Sequence, residues 1–264
     1  MMRIALLQMS AAPGDVAANM ASIARAAAEA ANAGADLLIA PKLATTGYGA
    51  GDAIRDLAEA RDGAQLATLS AIAAGSGLAI IAGFAERDGA HIYNSAAFLD
   101  GRAEPAVYRK SHLYGAYERG LFTPGDPCAA IVQWRGLKLG LLICYDVEFP
   151  ENVRRLARAG ADLAAVPTAL PESPQAAFIA LQMIPVRAFE NQIFVAYANH
   201  CGSDARFAYA GLSHVAAPDG GTLAKAAAEA GIILADIRPQ DYAASRAANP
   251  YLLDLRPPPG ASTT

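Results

Sequence analysis

Apolar residues run along this chain in two alternating patterns. Short, nearly continuous stretches occur over 3–9 (RIALLQM), 35–41 (ADLLIAP), 78–86 (LAIIAGFAE) and 92–100 (IYNSAAFLD). Each is bounded by Gly, Pro, Asp or another polar residue, and each predicts a strand. The alanine-rich segment 16–33 predicts a helix, and a second helix is expected near 64–74. Three more strands are expected over 107–113, 129–134 and 137–146. A helix over 148–159, a strand over 161–169, a long helix over 175–191 and strands over 193–200 and 232–237 complete the pattern. Strand and helix alternate, so the helices pack on the sheet rather than beside it. Two similar halves joined by a hairpin-rich middle predict an α/β layered sandwich. There is no internal repeat.

Composition narrows this picture. With 264 residues, 54% hydrophobic and 17% charged, the chain can bury one large core. A single domain over 1–256 is expected, followed by an extended or disordered tail over 257–264, where three consecutive prolines precede small polar residues. The formal net charge of -4 and the pI near 5.6 give no reason to expect a nucleic-acid partner. The first apolar stretch is too short for a signal peptide, and no run approaches the roughly 18 apolar residues that span a bilayer. A cytoplasmic protein with no membrane partner is the expectation. Cys128, Cys144 and Cys201 are odd in number and far apart, which argues against a disulfide framework and against paired metal ligands. A special cysteine here is a nucleophile before it is a staple.

The segment LKLGLLICYDVEFPENVRRLA places Cys144 between a buried strand and a helix opened by Glu148, Phe149 and Pro150. Such a turn exposes the side chain at the carboxyl end of a sheet and aims helix N–H groups at it, which favours the anionic sulfur. The competing reading, a buried structural cysteine, has equal weight on this segment alone. Lys110 shifts the balance, because it interrupts the strand-like run 107–113 and can hold a thiolate or an oxyanion. Glu118, eight residues on, is a candidate partner carboxylate. Alone, Lys110 reads as an ordinary strand-edge charge and Glu118 as a solvated loop charge.

Taken together, these segments resemble the nitrilase superfamily of carbon–nitrogen hydrolases. The matching pieces are ALLQ, LLIAPKLATTGY, YNSAAF, YRKSHL with ERGLFTPGD, GLLICYDVEFPE, VRAFENQIFVAYAN and AGLSHVAAPDG, in that order over nearly the whole chain. The resemblance implies a four-layer α-β-β-α sandwich, assembled as a homodimer or higher homo-oligomer, and a Glu, Lys, Cys triad that needs no cofactor or metal. Carried over, Cys144 is the nucleophile, Lys110 the triad lysine and Glu118 the family's second glutamate. Tyr145 and Asp146 after the cysteine resemble the amidase and carbamoylase branches. Asn191, Asn199 and His112 match structural positions. Tyr48, Tyr114, Tyr117, Phe149 and Leu170 are candidates for the pocket wall.

The resemblance implies an amidase acting on a small carboxamide through a Cys144 thioester. An N-carbamoyl hydrolase, a nitrilase or a non-catalytic protein binding an amide or a partner are the alternatives. One residue departs from the pattern: Lys42 stands where the family has its general-base glutamate, in the otherwise intact frame Pro41 to Tyr48. A single base substitution converts Glu to Lys, so an amidase with its base replaced is the economical reading. Two cations 4 Å apart repel by about 4 kcal/mol at an effective dielectric of 20. Impaired hydrolysis is therefore expected. A third reading is that one lysine sheds its proton and serves as a neutral amine base.

Overall fold

The computed structural model describes residues 1–256, so the tail expected over 257–264 lies outside the described residues. The first half contains β1 (Met2–Gln8), α1 (Val16–Asn32), β2 (Leu37–Ile39), α2 (Ala53–Leu57), α3 (Ala64–Ser76), β3 (Ala79–Asp88), β4 (His91–Leu99), β5 (Ala106–Arg109) and α4 (Gly115–Leu121). The second contains β6 (Ile131–Trp134), β7 (Leu137–Leu141), α5 (Pro150–Arg158), β8 (Leu163–Pro167), α6 (Ala176–Phe178), α7 (Ile184–Asn191) and β9 (Phe194–Ala198). A small hairpin of β10 (Cys201–Ser203) and β11 (Ala208–Ala210) follows, then β12 (His214–Ala216), β13 (Thr222–Lys225), β14 (Gly231–Ile237), α8 (Ala243–Ala248) and α9 (Tyr251–Asp254).

Two six-stranded sheets form, in the orders β14-β1-β2-β3-β4-β5 and β13-β12-β9-β8-β7-β6. Each has three parallel strands at its centre, β1, β2 and β3 in one and β7, β8 and β9 in the other, with antiparallel strands outside them. Alternation along β1 divides its side chains between two cores. Met2, Ile4 and Leu6 face the second sheet, against a cluster that includes Leu139, Leu141, Leu163 and Phe194. Ala5 and Leu7 point the other way, onto Ile23, Ala27, Leu66 and Leu69 of α1 and α3. Val153, Leu156, Ile184 and Ala188 of α5 and α7 cover the outer side of the second sheet. The result is the α-β-β-α order expected, and it explains why the central strands read as unbroken apolar runs: both faces are covered.

Two local differences from the sequence expectation have physical causes. The helix expected over 175–191 is divided by a π-helical stretch, Ile179–Met183, just before α7. Pro185 cannot donate to the carbonyl of Leu181 and its ring would collide with it, so the wider turn relieves the contact. The strand expected over 107–113 ends at Arg109, which leaves Lys110 in the connection after β5 rather than in mid-strand. No described helix is long and apolar enough to cross a membrane.

Candidate active site

The chain leaves both sheets on the same side to build one cluster. Lys42 follows β2, Lys110 follows β5, Cys144 follows β7 and Ala169 follows β8, so the carboxyl ends of strands from both sheets supply it. Cys144 begins a short 3-10 turn, Cys144–Glu148, with φ of 50°, a left-handed conformation that a non-glycine residue adopts at a cost of about 1–3 kcal/mol. Asp146 fixes that turn. Its carboxylate accepts from the Ile143 N–H at 3.2 Å, the Tyr108 hydroxyl at 3.0 Å, the Ser111 hydroxyl at 3.0 Å and the His112 N–H at 2.9 Å. One buried anion thus ties the cysteine turn to the segment that carries Lys110.

Lys42, Lys110, Glu118 and Cys144 come together, with exposures of 0, 1, 0 and 5%. Glu118, carried on α4 rather than on a loop, bridges both lysines: Lys42 Nζ lies 2.7 Å from Oε1 and Lys110 Nζ 2.5 Å from Oε2. Oε2 also accepts from the Tyr114 N–H at 2.8 Å. Lys42 Nζ stands 3.6 Å from Cys144 Sγ and 3.7 Å over the Tyr48 ring. The sulfur lies 3.7 Å from the Ala169 carbonyl oxygen. Among the described residues no hydrogen bond joins Lys110 to the sulfur, so the cation within reach of Cys144 is Lys42.

These contacts correct the neutral-amine expectation for Lys42. Burial lowers its pKa, but the sulfur, the Glu118 carboxylate and Tyr48 outweigh burial, and the ammonium is held above the ordinary lysine range. Glu118 shows the reciprocal balance: burial pushes its carboxyl up, and Lys42 and Lys110 bring it down to about 2. The expected repulsion between the lysines is offset by the carboxylate they share.

The backbone at Lys42 is gripped independently of its side chain. Its N–H donates to the Thr168 carbonyl at 3.3 Å, and the Gly83 N–H donates to the Pro41 carbonyl at 3.1 Å. Gly83 has to be glycine, since a Cβ there would lie 2.3 Å from the Leu43 nitrogen and 2.7 Å from Lys42 Cα. His200 faces the Lys42 carbonyl oxygen through Nε2 at 2.8 Å and the Met9 carbonyl oxygen through Nδ1 at 3.1 Å. Burial, reinforced by the Lys42 charge, lowers the His200 pKa from 6.5 to about 4 despite those carbonyls. An unfolded chain then binds a proton at this position near 6.5 and the native chain only near 4. Stability falls as the pH drops between those values, by about 3 kcal/mol from this group alone. Urea midpoints measured from pH 7.5 to 4.5 should decline less steeply in His200→Gln; equal slopes in both chains would remove the assignment.

Beside Cys144 opens a cavity of about 340 Å³, lined by Tyr114, Tyr145, Glu148, Leu170, Ser173 and Ile179 among others. Of the candidate wall residues, Tyr114 and Leu170 line it. Tyr48 instead lies under Lys42, Tyr117 donates its hydroxyl to the Tyr48 carbonyl at 2.6 Å, and Phe149 stacks on His112 at 4.1 Å. Asn199 accepts from the Leu170 N–H at 2.8 Å, and Asn191 donates to the Arg187 carbonyl at 2.9 Å. The hub at Asp146 and the clasp at His200 were not read from the sequence. Their partners lie on separate elements, so no local spacing marks them.

The profile of the carbon–nitrogen hydrolase family matches residues 3–247. The chain belongs to that family. Within this nitrilase superfamily it falls in the amidase branch. The (R)-stereoselective amidase of a Pseudomonas species is 33% identical over 97% of this chain and 92% of that protein. The hydrolase in the pqqF 5′ region of Pseudomonas protegens is 44% identical over 97% of this chain and 90% of its own length. Among solved structures, the NitN amidase of Nesterenkonia sp. AN1 superimposes with a TM-score of 0.87 at 36% identity, over 97% of each chain. Further structures are of mutants of the Nesterenkonia amidase: a double mutant in complex with acrylamide, and a single mutant with the acetamide moiety of fluoroacetamide added covalently at the active-site cysteine. The comparisons thus support a hydrolase acting on carbon–nitrogen bonds, in a branch whose solved member has a cysteine at its active site.

Proposed function

We propose that the chain is built to hydrolyse a small carboxamide to the carboxylic acid and ammonia through a thioester on Cys144, and that Lys42 impairs this reaction. The observation that carries the proposal is the Lys42 ammonium, buried with Glu118 and Lys110 and 3.6 Å from the Cys144 sulfur. Attack of the sulfur on the amide carbon forms a C–S bond and an oxyanion, and Lys110 is the cation proposed to hold that oxygen. Collapse breaks the C–N bond and releases ammonia, which needs a proton delivered to its nitrogen. Water then replaces sulfur on the carbonyl carbon, and that step needs a group to accept the water's proton.

A glutamate at position 42 would serve both transfers. Lys42, held charged by the anions around it, stabilises a thiolate but offers no lone pair to water. The site therefore keeps its nucleophile and loses its base. Mass spectrometry after incubation with fluoroacetamide tests the nucleophile. An acetamide adduct on Cys144 and none in Cys144→Ala is the expected result, by displacement of fluoride by sulfur. Adducts confined to Cys128 or Cys201 would refute it. Ammonia release from carboxamides, N-carbamoyl amino acids and nitriles, measured on the Lys42→Glu chain, then tests the preference for carboxamides.

A further inference from the structure

The cavity beside Cys144 contains a carboxylate that the proposed chemistry leaves without a role. Glu148 closes the 3-10 turn that Cys144 opens, and both residues line the same cavity. It is the only ionisable carboxylate among the lining residues; the remainder are aromatic, apolar, hydroxyl or amide groups, with Cys144 itself. The protein uses the backbone of Glu148 but not its carboxylate. Its carbonyl accepts from Arg187 Nη2 at 2.6 Å, whereas among the described residues no hydrogen bond or ion pair reaches its side chain. This sets it apart from Asp146 and Glu118, whose carboxylates are each fully engaged by neighbouring donors.

An anion left without a protein partner in a substrate cavity is a receptor for a cation. We infer that Glu148 selects carboxamides that carry an ammonium group a few bonds from the carbonyl, pairing with that ammonium while Cys144 addresses the amide. This inference rests on the amide-hydrolase reading above. A 3-10 turn rises about 2 Å per residue, which separates the two positions by about 8 Å along its axis. A short aminoalkyl chain, extended by a hydrogen bond at its end, spans that distance. Aromatic rings favour the same ligand. Tyr114 and Tyr145 line the cavity with centroids 5.1 Å apart, and a ring face attracts a desolvated ammonium.

Burial pushes the Glu148 carboxyl upward, with Lys110, Arg187 and Lys42 pulling it back. A bound ammonium would act in the same direction as those residues, so ligand and carboxylate stabilise each other's charged forms. The geometry thus favours a cationic amide over a neutral one of equal length and disfavours an anionic one.

The test compares 4-aminobutanamide with pentanamide, which is nearly isosteric and uncharged, on the Lys42→Glu chain. Expected is a kcat/KM about tenfold or more higher for the aminoamide, as a charged hydrogen bond to a partly buried carboxylate gives. Glu148→Gln should bring the ratio near one, and Glu148→Asp should keep part of it. Equal kcat/KM values in the parent, or a ratio unmoved by Glu148→Gln, would overturn the inference. If neither amide releases ammonia, the functional reading fails, and the same pair is compared as protectants of Cys144 against iodoacetamide. Stronger protection by 4-aminobutanamide, lost in Glu148→Gln, still supports the selection; equal protection by both amides overturns it.

Discussion

Lys42→Glu should raise amide hydrolysis by about 10²- to 10⁴-fold, the range that a positioned general base contributes. The expectation follows from charge. In the present chain two buried ammonium groups flank one carboxylate. The substitution leaves two carboxylates around Lys110, and neighbouring like charges raise one carboxyl pKa toward the working pH. A base so poised can take a proton from the thiol, hand it to departing ammonia and then accept one from water. The measurement is the steady-state rate of ammonia release from a short aliphatic amide by both chains. Rates that agree within a factor of a few would show that residue 42 is not the missing base.

The second large effect concerns stability. Glu118→Gln removes the anion shared by Lys42 and Lys110 and leaves two cations buried at 0 and 1% exposure. Removing one partner from a buried pair costs about 3–5 kcal/mol. Here two lysines lose the same partner, so the upper part of that range is expected, read as a shift in urea midpoint with unchanged m-value. The pH dependence has a definite sign. The Glu118 carboxyl stands near 2 in the native chain against 4.5 when unfolded. Its contribution is complete above about 4.5 and disappears as the pH falls toward 2. Glu118→Gln should lack that acid-dependent component, and an unfolding free energy within about 1 kcal/mol of the parent at pH 7 would contradict the bridging role.

The strands that the sequence makes legible are those covered on both sides. β1, β3 and β8 appear within one or two residues of the expected ranges, because an unbroken apolar run has few other uses. Cys144 was legible for a related reason: a buried strand followed by Pro150 and acidic residues leaves little room for anything but a turn. α4 was not. Gly115 and Gly120 interrupt its pattern, so Glu118 read as a loop charge instead of a helical carboxylate aimed inward. The charge balance between the two lysines was not legible because the carboxylate beside Lys42 lies 76 positions away, and sequence does not disclose that one carboxylate serves both lysines. His200 contacts the Lys42 carbonyl across 158 positions and carries no local mark of doing so. Such pairings are set by tertiary packing.

The grip on the backbone at residue 42 separates two properties that commonly change together. Thr168, Gly83 and His200 hold the peptide groups of 41 and 42 through contacts that do not involve the Lys42 side chain. Glutamate and lysine can therefore occupy the same spot over the same framework. If Lys42→Glu restores hydrolysis as expected, a single codon separates the two states of the site, with the scaffold around residue 42 left as it is.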